Sequence, residues 1–188
     1  MQLVAQRRFS VAEEAIVAVA MASYALDWAR NGGSYEGEGS TRTPTERESE
    51  EVKKIRDSYF TAVERLRTSE QRFADLEKIA LLARHHLGET AYESFNTLLR
   101  ARNRVMISAG MLIKTTRNPD IPIPASLQEN RQRWEDDVWG GGDPSSPLTI
   151  KVQEAETALR EICDREARMT AAIWPFRTRD AKTAETTK

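Results

Sequence analysis

Val52, Tyr59, Leu66, Phe73, Ala80 and Leu87 stand seven residues apart, and Ile55, Ala62, Ser69, Leu76 and Ala83 fill the places between them. An apolar period of three and four is a helical seam, because one face of a helix recurs at that spacing whereas a strand alternates every two residues. Neither Gly nor Pro interrupts Thr45 to Leu87. The pattern therefore predicts one helix of about 43 residues, about 64 Å long. Propensity alone does not hold such a helix, so it needs packing partners along much of its length. The seam is weakest at Thr68-Ser69, the place where this helix would break.

The rest of the chain supplies those partners. Ser10 and Glu13 have capping-box spacing, and Ala12, Ile16, Val19, Ser23 and Leu26 continue an inward face, which predicts a helix from about 10 to 30. Asn31-Gly32-Gly33 stops it, and the aperiodic residues through Thr43 are expected to form a mobile loop before Thr43-Pro44 restarts helix. Gly88 ends the long helix. Thr90 and Glu93 then cap a third, running to about Thr116 with Tyr92, Phe95, Leu99, Met106, Ala109 and Ile113 inward. Pro119, Pro122 and Pro124 make a stiff connector, because each proline disfavours helix at the residue before it.

Ser126 and Glu129 cap a short helix that ends at Trp139-Gly140-Gly141-Gly142. Ser146-Pro147 opens the last helix, with Leu148, Val152, Ala155, Leu159, Ile162, Met169 and Ile173 inward, and Pro175 closes it. The expected fold is all-α: an elongated antiparallel helical bundle of four substantial helices plus one short helix. One domain is expected over 1–176, with a disordered tail over 177–188. The long helix would outreach its neighbours by about 15 residues, or about 22 Å. That overhang predicts a homodimer or a protein partner over the excess.

Charge and composition narrow the function classes. Twenty-eight Lys and Arg against 29 Asp and Glu leave a net charge of -1, which argues against a general nucleic-acid binder. One cysteine, Cys163, excludes an intrachain disulfide or a thiolate-rich metal site, and two histidines barely supply a metal centre. No Glu-x-x-His pair of the di-iron kind occurs, and Gly140 to Gly142 lacks the Lys-Ser or Lys-Thr of a phosphate loop. No cofactor or metal is expected. Glu13 and Glu14 interrupt the apolar N-terminal stretch, leaving Ala15 to Leu26 shorter than the roughly 20 residues of a span. No membrane crossing and a cytoplasmic location are the expectation.

Four groups of residues carry candidate chemistry. His85 and His86, near the end of the long helix, have the residue type of a phosphoryl carrier or a general base, or simply sit well at the negative end of a helix dipole. Residues Arg84 to Arg117 are locally basic, and Arg100 and Arg104 share a helix face, so an acidic protein surface, a nucleic acid or a phospholipid could dock there. Trp134 and Trp139 place two large rings in a short acidic helix, as a protein contact does. Arg102 and Glu166 interrupt two inward series at similar heights and are expected to pair inside the bundle, with Asn103 as a third member. Cys163 reads as a packed thiol. Together these residues describe a non-enzymatic helical interaction or structural protein that self-associates or docks a protein partner. The alternatives are an enzyme or ligand-binding bundle using His85 and His86 with arginines, and a nucleic-acid-associated accessory protein.

Overall fold

A computed structural model describes residues 2–46, 48–117 and 122–173. Of these residues 80% are helical and none forms a strand. Six helices are present among them: α1 (Gln2–Ala29), α2 (Glu50–Thr68), α3 (Glu70–Leu87), α4 (Glu89–Thr115), α5 (Ala125–Trp139) and α6 (Pro147–Ile173). The expected close of the last helix at Pro175 and the expected disordered tail fall outside the described residues.

The heptad seam holds residue by residue. Val52, Tyr59, Leu66, Phe73, Ala80 and Leu87 are all buried, as are Ala62, Ser69, Leu76 and Ala83, with Ile55 half-buried. The single long helix does not. It begins at Glu50, where the Ser49 hydroxyl accepts from the Val52 N–H, and it breaks at Ser69. The two halves have different neighbours, since α2 lies chiefly on α4 whereas α3 is shared between α1 and α4. The break falls at the one polar seam position. The half expected to overhang, α2, packs against α4 and α1.

Three other helices start elsewhere than their sequence signals suggest. Helix α1 runs from Gln2 through Ser10, whose hydroxyl donates to Glu14 Oε1 one turn on instead of capping. Helices α4 and α5 are preceded by Gly88 and Pro124, and neither Thr90 nor Ser126 provides the cap. Ser146-Pro147 opens α6 as expected.

Inward faces were misplaced where the core is built from small residues. The buried side of α1 is Val11, Ala12, Ala15, Val19, Ala22, Ala25, Leu26 and Ala29, while Ile16 is exposed. In α4 the buried line is Ala91, Ser94, Phe95, Leu98, Ala101, Val105, Ser108, Ala109 and Leu112, so Tyr92, Leu99, Met106 and Ile113 pack on its flanks. Alanines and serines let helix axes approach closely, and a reading that ranks positions by hydrophobicity passes over them. In α6, Leu148, Val152, Ala155, Leu159 and Ile162 are buried as expected, but Met169 is exposed.

The segment between α1 and α2, expected to be mobile, is fastened to α2. Arg65 reaches from α2 to the carbonyls of Trp28, Asn31 and Gly33, pairs with Glu38, and lies over the Trp28 ring at 4.5 Å. Arg42 pairs with Glu48 and Asp57, and Glu48 also takes Arg56. Glu64 accepts from the Gly39 N–H and the Thr41 hydroxyl, each at 2.6 Å. Gly39 has φ +80, and a Cβ there would stand 2.0 Å from the Asp57 carbonyl oxygen. Only glycine lets the segment come so close to the helix in that conformation.

Candidate functional site

The corner where α1 ends, α5 ends and α6 begins is organised by one buried guanidinium. Arg30 is 1% exposed. Its Nε donates to the Asp137 carbonyl at 2.9 Å, Nη1 to the Thr149 hydroxyl at 3.0 Å, and Nη2 to the Ser146 hydroxyl at 2.9 Å and the Asp136 carbonyl at 3.3 Å. The carbonyls lie in the last turn of α5, where the helix dipole favours a cation. Burial lowers the Arg30 pKa, an effect opposed by the nearby Asp27, Asp137 and Asp136. Gly141 closes over the arginine, its N–H donating to the Arg30 carbonyl; a Cβ there would meet the Asp27 carbonyl oxygen at 2.9 Å.

Asp137 carries the network outward. Its carboxylate, 6% exposed, accepts from Arg104 Nε and, at 2.8 Å, from the Ser108 hydroxyl. This carboxylate joins α5 to α4 and holds Arg104 at the floor of a groove of about 430 Å3. Helix α4 lines the groove with Arg100, Asn103, Arg104 and Ile107, and α5 lines it with Arg133 and Trp134. On the far side of Arg100 and Arg104 lies a second groove of about 490 Å3, between α4 and α6, carrying Glu93, Lys151 and Glu154.

The fold thus gathers three of the four residues singled out for interaction: Arg100, Arg104 and Trp134. Trp139 goes elsewhere, stacking on Tyr59 of α2 at 4.8 Å. The Tyr59 hydroxyl donates to Glu135 and accepts from Arg131 Nη2. Burial, followed by the Glu135 carboxylate, pushes the Tyr59 pKa up to about 12. Arg133, Ile107 and Asp137 were missed, because nothing in their spacing to Arg100 announces that α5 lies across α4. The basic segment 84–117 is not one surface: Arg84 pairs with Glu89, and Arg102 lies over the Phe73 ring of α3 at 5.1 Å.

Arg102 and Glu166 do not form the expected pair. Glu166 is buried, and it takes a two-pronged bond from Arg8 of α1, with Nε at 2.9 Å and Nη2 at 2.6 Å. Because α1 begins eight residues earlier than its capping pattern indicates, it brings an arginine to the level of Glu166. Among the described residues the Arg102 Nε has no hydrogen-bond partner, and Asn103 is exposed in the α4–α5 groove.

His85 and His86 meet edge to face at 4.7 Å at the end of α3, the first exposed and the second half-buried. Burial, His85, Arg7 and Arg8 all lower the His86 pKa. This environment favours a neutral imidazole, the opposite of the dipole-paired imidazolium that the position on its own suggests. Cys163 is buried and its thiol donates to the Ala12 carbonyl at 3.4 Å. Burial, Asp164 and Glu166 push its pKa up to about 11. Ellman's reagent at pH 8 should label it about two orders of magnitude more slowly in the folded chain than in urea, since only the thiolate reacts. Equal rates would contradict the buried placement. Among the described residues no three His, Cys, Asp or Glu gather to hold a metal.

Compared with known proteins, the chain matches no family model, no curated protein and no solved structure.

Proposed function

We propose that the chain is a non-enzymatic helical interaction protein that associates with a second copy of itself through the outer face of α1. The observation that carries this reading is the inverted packing of α1. Ala12, Ala15, Ala22, Ala25 and Ala29 are buried, whereas Val17 and Tyr24 are each 62% exposed, Met21 47% and Ile16 40%. Val17, Met21 and Tyr24 recur at four and three residues, so they form one stripe along the helix. Burying an apolar side chain of that size contributes about 1.5–3 kcal/mol, and a two-fold arrangement covers both copies of the stripe at once.

The finer architecture in this proposal is an antiparallel bundle of α1, α3, α4 and α6, with α2 extending α3 and α5 laid on α4. The contact pattern supports it: α1 and α4 each pack against both α3 and α6 but touch one another little.

Light scattering at micromolar concentration tests the association. The wild-type chain is expected at twice the 21.3 kDa chain mass, and the double variant Val17→Glu/Met21→Glu at the chain mass with unchanged helix content. A wild type at 21.3 kDa would sink the proposal. One observation favours a second reading. Leu3–Ala29 is, by length and composition, the one helix among the described residues apolar enough to cross a membrane, and 44% of its most apolar window is buried in the fold. Flotation of the wild type, but not of the variant, with phosphatidylcholine vesicles would transfer the stripe from a second copy to a bilayer.

A further inference from the structure

We propose that the groove between α4 and α5 binds an acidic peptide segment of a partner protein, with its carboxylates on Arg100, Arg104 and Arg133 and one apolar side chain against Trp134 and Ile107. This rests on the interaction-protein reading but uses a different face of the molecule. The three guanidinium groups are under-used. Arg100 is 72% exposed, and its one ion pair among the described residues, to Glu93, is 3.5 Å long. Arg133 is exposed and, among the described residues, donates only to the Asn130 amide oxygen. Arg104 commits Nε to Asp137, while its two terminal nitrogens have no protein acceptor among the described residues. Asp137, the sole carboxylate lining the groove among the described residues, is buried and already shared between Arg104 and Ser108. The groove therefore carries local positive charge on a chain whose net charge is -1.

Planar guanidinium forks match carboxylates in geometry, and arginine beside tryptophan is the composition of an interface hot spot. Ile107, 66% exposed, gives the groove an apolar wall at its open side. A volume of about 430 Å3 accommodates a few side chains. A nucleic acid fits less well. It needs a basic track for successive phosphates, and of the other arginines near the groove Arg84 turns onto Glu89 and Arg102 onto Phe73. Trp134 is packed against the core instead of standing free as a stacking platform.

The test is selection from a random dodecapeptide display library on the immobilised full chain, followed by fluorescence anisotropy with the best peptide at low and high salt. The expected consensus has several Asp or Glu residues flanking Leu, Ile, Phe or Trp, with affinity falling as salt rises. Arg100→Glu/Arg133→Glu alters exposed side chains only and is expected to weaken binding by about tenfold or more with an unchanged melting curve. Val17→Glu/Met21→Glu is expected to bind the peptide as the wild type does, so a failure of self-association is read separately from a failure here. A consensus without acidic residues, an affinity unaffected by the arginine double variant, or tighter binding of oligothymidylate than of the selected peptide would overturn the proposal.

Discussion

Replacing Arg30 with methionine is expected to destabilise the chain by about 3–5 kcal/mol, since each buried polar group left unsatisfied costs about 1–3 kcal/mol. That is a large share of the roughly 5–15 kcal/mol that holds a domain folded. Methionine fills much of the space but leaves the Asp137 carbonyl and the Ser146 and Thr149 hydroxyls without their donor, while the Asp136 carbonyl keeps only the Gly140 N–H. Thr149 also donates to the Gly140 carbonyl, so the loss spreads into the turn before α6. Lysine keeps the charge but has a single nitrogen to serve partners spread over two helix ends, and it is expected to recover only part of the loss. Urea melts of the three proteins check this. A methionine variant within about 1 kcal/mol of wild type would mean that water replaces the guanidinium, and that the corner is more open than its 1% exposure indicates.

Arg65→Met is expected to cost about 3 kcal/mol, with a different signature. Arg65 is 4% exposed and binds the carbonyls of Trp28, Asn31 and Gly33, so its loss uncaps the end of α1 and frees the segment that leads to α2. Glu38, its partner, is 21% exposed and remains wet enough to stay charged once alone. Limited proteolysis under native conditions should therefore cut the variant between residues 33 and 41 well before any cut in the helices, whereas the wild type resists there. If the variant resists equally, Glu64 and Arg42 hold the segment without help from Arg65.

What could be read in the sequence was whatever repeats locally. The seam from Val52 to Leu87 needs only a period of seven, and every residue of its principal series is buried. Helix existence followed from the same periodicity. Starts and faces failed where two physical signals compete: Ser10 with Glu13 has capping spacing, yet α1 continues through it, and the added turns bring Arg8 to Glu166 of α6. The buried lines of α1 and α4 were obscured because close helix approach selects alanine and serine, residues that carry little hydrophobic signal.

The site was half legible for a related reason. Arg100 and Arg104 announce a shared face by their spacing, and Trp134 announces itself by type. The bond from Arg104 to Asp137 spans 33 residues, and those of Arg30 span more than a hundred, so no local pattern encodes them. Glu166 illustrates the same limit. Its need for a cationic partner was evident from its place in an apolar series, but the choice of Arg8 over Arg102 depends on how α1 lies against α6.

The span of the Arg30 bonds has a consequence for the order in which the molecule assembles. The partners of Arg30 lie 106 to 119 positions downstream, so on a nascent chain this guanidinium has none of them until the end of α5 has been made, and not the full set before the first turn of α6. Short-range pairs such as α3 with α4, joined through Gly88 alone, close over a small loop and form early. The Arg30 corner closes over a far longer one and comes late, which makes this protein fold more slowly than an all-helical chain built from neighbouring contacts.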